Sequence, residues 1–430
     1  MSSFANWQGL AKRRYGKFVD PLPSPNTFAD FMDFVPKDQR PGDTYEFPVR
    51  LGLEHGVTHD VSRTAFTLLG SKDSVALPAR LRGAAINMQG RIPRDVLAAF
   101  NNGVSNGGDG GGSYMDAIDA KVLGLAGGGE LYREIALHYG PGTGAAAANI
   151  GVCSTVVSGT NFGSSGPMVV DLTRASWSAG LWNLMVGAYV DVYAANGSTL
   201  KESEVEVTAV DPSHNRVTLS KSGVTTDIDP TDIILPRGSK GKSCYGAQAI
   251  LENTGSLFEL DAAVYPQWRA IQIAIGGALT RAKIMALAAK LQQNGVKKGG
   301  KLFVNANTFA DLAEEANQLQ RFNENTASVK RQGAENLEYK TPAGVIEVAV
   351  DMIMKQSIAM FFATGVAKRV GSTDLTFRTQ GSREWFFQEL ENAAGAQLQM
   401  FSNQAPICEI PYHCAILSTI SNTGDTLPSA

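Results

Sequence analysis

Between Thr160 and Gly241 the chain reads as a succession of short strands, and this β-rich block limits the possible folds more than any other feature. The runs 187–193 and 204–210 alternate apolar and polar residues, the period of a half-buried strand. Asp211-Pro212-Ser213-His214-Asn215 makes a turn into Val217 and Leu219, and 232–235 closes the set. Five or so strands in so short a block predict a small barrel inserted into a larger fold. A chain of 430 residues has room for that, since single cores rarely exceed about 250–300 residues.

Ahead of the block, residues 1–42 are rich in proline, aromatics and scattered charge, as in an extended arm. One short helix is expected from Asn26 to Phe34, capped by Asn26. Tyr45, Phe47, Val49, Leu51 and Leu53 alternate as a strand, and a second strand-like run spans 75–87. The polar tip LEHGVTHDVSRTAFTLLGSKDS joins them, which predicts a long two-stranded loop reaching away from the body. Residues 91–102 read as helical, and NNGVSNGGDGGG breaks the pattern. Ser113 is placed to cap a helix carrying Ile118, Val122 and Leu125 on one face. Gly127-Gly128-Gly129 interrupts it before 130–139 resumes, giving one long helix with a disturbed middle or two collinear ones.

Behind the block comes CYGAQAILENTGSLFELDAAVYPQWRA, residues 244–270, an apolar run, an Asn253-Thr254-Gly255 turn and aromatic anchors at Tyr265 and Trp268. The remainder is mixed α/β. Thr280 caps a helix with Ile284, Leu287, Ala288 and Leu291, ended by Gly295, and Asn307 caps a second with Leu312, Ala316 and Leu319. Strands are expected at 301–304, 345–350, 359–363, 375–379, 397–401 and 416–420, with Trp385, Phe386 and Phe387 in the strand-rich end.

Charged residues make up 18%, against a usual value of about 25%, so much of the surface is uncharged or covered by partners. The net charge of −3 and pI near 6.0 argue against a dedicated nucleic-acid binder. No apolar run approaches a membrane span, and the first residues carry no secretory h-region. Four scattered cysteines fit a reducing cytoplasm. Both termini are expected to be pinned by neighbouring subunits.

A search for chemistry yields no catalytic residues, no cofactor-binding residues and no metal site. Gly241-Lys242-Ser243 ends like a phosphate loop, but no glycine stands at the first position of that pattern, so it reads as a basic exit from the barrel. Gly140-Pro141-Gly142-Thr143-Gly144 follows a helix rather than a strand and reads as a hinge into the insertion. His55 and His59 are four apart in a loop without a third ligand. Cys408, His413 and Cys414 match no zinc spacing and read as buried sheet cysteines. Asp227, Asp229 and Asp232 are too few oxygens for a calcium loop and read as an exposed turn. Gly163-Ser164-Ser165-Gly166 lacks the spacing of a hydrolase elbow. Lys12-Arg13-Arg14 with Lys17 is a compact basic run, either plain surface or a contact to a neighbour or to phosphates.

The order of these pieces resembles the major capsid proteins of tailed bacteriophages with the Hong Kong 97-type fold, which encapsulins share. The resemblance rests on the proline-rich arm, the long hairpin and a helix ending in Ala136, Leu137, Tyr139 and Gly140. It continues through the barrel insertion and then Gly246, Asn253-Thr254-Gly255, Asp261, Tyr265-Pro266 and Trp268-Arg269-Ala270. It implies an α+β fold with an N-terminal arm (1–43), an extended β-hairpin loop (44–90) overlapping an adjacent subunit, and a peripheral domain with a long spine helix (91–159). The inserted β-barrel (160–241), a return to the peripheral domain (242–277), an axial domain (278–364) and C-terminal strands, mainly peripheral (365–430), complete it. It implies self-assembly into hexamers and pentamers of an icosahedral shell around double-stranded DNA, with weak non-specific contact to the packaged genome. The near-neutral charge suits such a lining. A separate scaffolding protein, a portal and a decoration or cement protein are implied partners, and the location is the virion capsid, assembled in the host bacterial cytoplasm. No membrane is involved. Lys72 lies in the extended loop, but nothing identifies a crosslink partner. The alternatives are an encapsulin-like compartment and, further off, a soluble hydrolase or nucleotide-binding enzyme.

Overall fold

The structure, a computed structural model, describes Pro23 and residues 25–35, 44–59, 70–94, 110–142, 148–159, 161–162, 166–224, 226–320, 337–377, 387–389 and 395–422. The basic run at Lys12–Lys17, both termini, Trp385 and Phe386 lie outside the described residues. Six helices are described: α1 (Thr27–Phe31), α2 (Gly110–Tyr139), α3 (Ala179–Leu184), α4 (Ala247–Leu251), α5 (Arg281–Gln293) and α6 (Ala306–Gln320).

Helix α2 runs unbroken through Gly127-Gly128-Gly129, and Ser113 lies inside it rather than capping it. The glycines are explained by what the helix rests on. A Cβ at Gly129 would stand 2.4 Å from Met400 Sδ, and one at Gly128 would stand 2.9 Å from Met88 Cε. Without side chains there, α2 lies close on the strands Ala84–Pro93 and Gly395–Cys408, where Leu125, Leu398 and Met400 form a small buried cluster. The packing offsets the low helix propensity of glycine, about 1 kcal/mol per residue.

The strands on which α2 lies belong to a five-stranded sheet. The 14-residue strand Gly395–Cys408 pairs antiparallel with Ala367–Phe377, Phe387–Glu389 and Ala84–Pro93, and Asp33–Phe34 adds a short parallel edge. The helix expected over 91–102 is therefore wrong for Arg91–Pro93, which continue the strand through Ile92 and its buried side chain. The run expected as a single strand over 75–87 is two, Ala76–Arg82 and Ala84–Pro93. They break at Gly83 because a Cβ there would lie 2.0 Å from Asn403 Oδ1 and 3.2 Å from Gly371 Cα. Ala76–Arg82 leaves the sheet to pair with Thr44–Arg50 in an antiparallel hairpin.

A six-stranded mixed sheet holds the second body, in the order Ile271–Gly277, Ala415–Ile420, Ala359–Ala363, Gly300–Val304, Gly344–Val350, Leu337–Thr341. Ile284, Leu287, Ala288 and Leu291 of α5 and Leu312 of α6 are buried at the helical spacing read from the sequence. Asn305, not Asn307, caps α6: its Oδ1 accepts the Asn307 N–H at 3.0 Å. Gly295 ends α5 with φ +90°, a conformation glycine adopts without penalty.

The inserted block is a closed barrel of six strands, Gly151–Ser158, Met168–Leu172, Tyr189–Tyr193, Leu200–Asp211, Arg216–Ser220 and Ile233–Pro236. Its first strand precedes Thr160, where composition shifts, because GVCSTVVS alternates only weakly. Val170, Val190, Val192, Val205, Val207, Val217 and Leu219 fill the interior and are fully buried. Closure pairs the strands around the ring and leaves no open sheet edge.

Candidate assembly site

The end of α2 is where the arm, the barrel and the main body meet. Gly140 follows the helix, and its Cβ would fall 2.3 Å from the Cys244 carbonyl oxygen. Gly246, across from it, donates its N–H to the Gly140 carbonyl at 2.9 Å, and the Gly142 N–H reaches the Cys244 carbonyl at 3.2 Å. Farther out, the Gly241 N–H donates to the Gly142 carbonyl at 2.8 Å. The chain thus leaves for the barrel and returns from it along adjacent tracks, and the two glycine motifs carry backbone contacts. Segment 244–270 is the return track. Trp268 is buried there, donates its indole N–H to the Leu257 carbonyl at 3.2 Å and sits 6.3 Å from the Phe47 ring at the base of the hairpin. Tyr265 is half-buried against the core.

A buried polar cluster fixes α1 beside this junction. Glu134 and His138, one helical turn apart on α2, are both buried, as is Asp351. Glu134 Oε1 accepts the Ala29 N–H of α1 at 2.8 Å. His138 directs Nδ1 to the Glu134 carbonyl at 2.9 Å and Nε2 to Asp351 Oδ2 at 2.7 Å. Both ring nitrogens face acceptors, so the imidazolium is the form that satisfies both. Burial opposes that charge, but Asp351 and Glu134 outweigh it and raise the His138 pKa. Burial pushes the Glu134 carboxyl up to about 7, against the pull of His138 and the Ala29 N–H. Phe28 of α1, fully buried, packs on the His138 ring at 4.3 Å and on Phe303 and Phe362.

The motif residue Tyr139 extends the cluster. Its hydroxyl donates to the Ile353 carbonyl and accepts the Lys355 N–H, each at 3.0 Å. The Lys355 ammonium lies 4.4 Å from the Tyr139 ring centre and donates to Gln248 Oε1 on α4 at 3.0 Å. Full burial brings the Lys355 pKa down to about 7. On the other side of α1, Arg133 donates to Asn26 Oδ1 at 2.6 Å, and Arg369 donates to the Met32 carbonyl at 2.9 Å and to Asp374 at 3.0 Å. Asn26 is the N-cap residue of α1 by position, and its side chain makes no cap bond.

The raised carboxyl gives the clamp a pH signature. Glu134 binds a proton more tightly folded than unfolded, so its contribution is fully present below the ordinary carboxyl value of 4.5 and is lost as pH rises through about 7. Glu134→Gln keeps an acceptor for Ala29 and removes the titration. The variant is expected to gain about 3 kcal/mol relative to the parent between pH 4.5 and pH 8. Denaturant midpoints of unassembled subunits at several pH values check this; parallel curves for the two proteins would reject it.

The described part of the hairpin carries uncovered apolar residues. Beyond Leu51 it continues to a backbone bridge between His55 and Lys72, with Leu53 63% and Val57 68% exposed and Val75 also exposed. Single exposed apolar residues are ordinary, but these three share one projecting element. At its base Arg80 pairs with Glu46 at 3.0 Å and Glu259 at 3.4 Å. On the opposite side the barrel is braced to the body: the Ser178 hydroxyl donates to the Met352 carbonyl at 3.1 Å, and the Ser357 hydroxyl donates to the Ala175 carbonyl at 2.8 Å.

The residues weighed for chemistry are dispersed. Lys242 and Ser243 form a turn at the barrel exit, and the Ser243 N–H bonds to the Ser239 carbonyl at 2.7 Å. Gly140-Pro141-Gly142 is the turn already described, and Thr143 and Gly144 lie outside the described residues, as do Ser164 and Ser165. His59 is exposed in the loop beyond His55. Asp229 and Asp232 converge on the Lys201 ammonium at 2.5 and 2.8 Å. Asp232 is buried rather than part of an exposed turn, because Lys201 supplies the balancing charge. Cys408 and Cys414 meet, but His413 turns Nε2 to the Asn294 carbonyl at 3.1 Å. Among the described residues no group of three or more His, Cys, Asp or Glu could hold a metal ion. Among the described residues no helix is long and apolar enough to cross a membrane. The clamp is not legible in the sequence: Glu134 and His138 stand at ordinary helical spacing, and only the fold brings Asp351 against them.

No protein-family model matches the chain, and no curated protein does. Solved structures do. The chain of the Cyanophage A-1(L) capsid asymmetric unit aligns over 95% of this chain and 96% of its own length, at 11% identity and a TM-score of 0.51. A chain of the native GTA particle capsid covers 95% of each at 7% identity and a TM-score of 0.45. The holo-SrpI encapsulin complex from Synechococcus elongatus covers 100% and 99% at 8% identity and a TM-score of 0.43. The first alignment defines the class: a mixed α+β fold of the phage capsid type, here with a six-stranded barrel built in.

Proposed function

We propose that this chain is the major capsid protein of a tailed phage, assembling with copies of itself into hexamers and pentamers of a closed icosahedral shell around double-stranded DNA. The observation that carries the reading is the end-to-end alignment with a phage capsid chain, which leaves little of either chain unmatched. The hairpin supports it: its exposed Leu53, Val57 and Val75 gain by burial against a neighbour, about 25 cal/mol per Å² of apolar surface.

In this reading 1–43 is the arm, 44–83 the extended loop over an adjacent subunit, and 84–150 with 242–270 and most of 365–430 the peripheral domain, with α2 as its spine. Residues 271–364 with the strand Ala415–Ile420 form the axial domain at the capsomer centre, and 151–241 the barrel, whose first strand lies ahead of the boundary at 160 expected from composition. The protein is structural, not an enzyme. It works with a scaffolding protein, a portal and a decoration protein, touches packaged DNA weakly, and ends in the virion after assembly in the host cytoplasm.

Electron microscopy of the purified protein from its native source tests this. Closed particles or ring-shaped capsomers are expected. A monomer or small oligomer with ligand-dependent stability would reject the reading, and scaffold-free shells holding an enzyme would replace it with an encapsulin-like compartment.

A further inference from the structure

Two buried thiols lie together where the chain passes from one sheet to the other. Cys408 ends the strand Gly395–Cys408, paired with Ala367 in the five-stranded sheet. Cys414 immediately precedes Ala415–Ile420 of the six-stranded sheet, and its carbonyl accepts the Ile271 N–H at 3.0 Å. Between them Pro411–His413 makes one turn of 3₁₀ helix, which folds the chain back and brings the two sulfurs to 3.1 Å. Both cysteines are free, with 2% and 0% exposure. With His413 facing Asn294, the pair has no third ligand of the kind a metal requires. Sulfurs in contact need an approach of only about 1 Å to reach bonding distance.

We propose that Cys408 and Cys414 are an oxidation site that closes to an intrachain disulfide and staples the five-stranded sheet to the six-stranded one. The oxidant is a peroxide, small enough to enter when the turn opens. One thiol, as thiolate, attacks a peroxide oxygen; the O–O bond breaks, hydroxide leaves and a sulfenic acid forms. The second thiol attacks that sulfur, the S–O bond breaks, and water leaves carrying the thiol proton. In sum two thiols and one hydrogen peroxide give a disulfide and two waters, the sulfurs losing the two electrons that the peroxide gains.

The covering turn sets the rate. Ile410, at the start of the turn, is exposed and Tyr412 and His413 are partly exposed, while Pro411 is buried. Burial, reinforced by the neighbouring sulfur, holds the Cys408 thiol well above the usual range, so it stays protonated and waits for opening. The pair is then open in a reducing cytoplasm and closed in oxidising surroundings. On the capsid reading, closure follows release from the cell, but the chemistry belongs to the single chain and stands without a shell.

The folded protein is treated with hydrogen peroxide, quenched with catalase, then unfolded and alkylated. Two of the four cysteines are expected to escape alkylation, and peptide mapping is expected to join Cys408 to Cys414 within one chain. The unfolding temperature should rise by a few degrees and return on adding reductant. Cys408→Ser and Cys414→Ser should each lose the gain; parent protein with and without reductant decides the matter if either variant fails to fold. Four alkylated cysteines after treatment, a bridge between other cysteines or between chains, or sulfinic acid without a bridge would each overturn the proposal. None of these outcomes depends on whether shells form.

Discussion

Gly246→Ala is expected to yield almost no folded chain. The added Cβ would stand 2.4 Å from the Gly140 nitrogen and 2.6 and 2.7 Å from the His138 carbonyl oxygen and carbon, all backbone atoms. No side chain can swing aside, so the end of α2 and the start of α4 must separate. That separation breaks the Gly246–Gly140 hydrogen bond and pulls on Tyr139, whose hydroxyl satisfies two buried backbone groups. Gly246 has φ −74° and ψ 169°, which alanine adopts without strain, so the loss is one of space alone. A cost above about 4 kcal/mol is expected, a large share of the roughly 5–15 kcal/mol that stabilises a typical domain. Soluble yield and near-ultraviolet circular dichroism measure it. Gly255→Ala, with no atom within 4 Å of its Cβ, is the neutral control. Parent-like yield and cooperativity in Gly246→Ala would show that this packing is wrong.

The second large effect concerns assembly. Leu53→Asp combined with Val57→Asp and Val75→Asp should leave the subunit folded, because all three side chains are exposed. If the hairpin tip is buried against a neighbour, each loss costs about 1.5–3 kcal/mol of burial, and an unpaired carboxylate adds more. Loss of about 5 kcal/mol per subunit raises the concentration needed for assembly by more than about a thousandfold. Sedimentation of parent and variant over a concentration series reads this directly. Shells forming at the parental concentration would place the tip outside every essential contact.

Local patterns explain which parts of this fold could be read from the sequence. The alternation from Tyr45 to Leu51, the Thr280 helix with its buried Ile284 and Leu287, and the later barrel strands carry their period within a few residues. The glycines of α2 were misread because their meaning lies across space: Gly128 and Gly129 are small for Met88 and Met400, one far upstream and one far downstream. The same distance hid the arm clamp. Glu134 and His138 read as an ordinary helix face until Asp351 and the Ala29 N–H are brought against them. The 91–102 helix failed at Arg91–Pro93 because pairing with the long strand outweighs local propensity.

One hydrogen bond at the barrel's root carries an architectural consequence. The Gly241 N–H and Gly142 carbonyl are 2.8 Å apart, so the chain could pass from one to the other by a short splice. In connectivity the barrel is a cassette, a module whose removal or exchange leaves the path of the remaining chain unchanged. In packing it is not, because Ser178 and Ala175 are fastened to Met352 and Ser357. A guest domain grafted at this splice would inherit the route but not the fastening. It would swing on a two-stranded stalk unless it brought its own grip on the 352–357 loop.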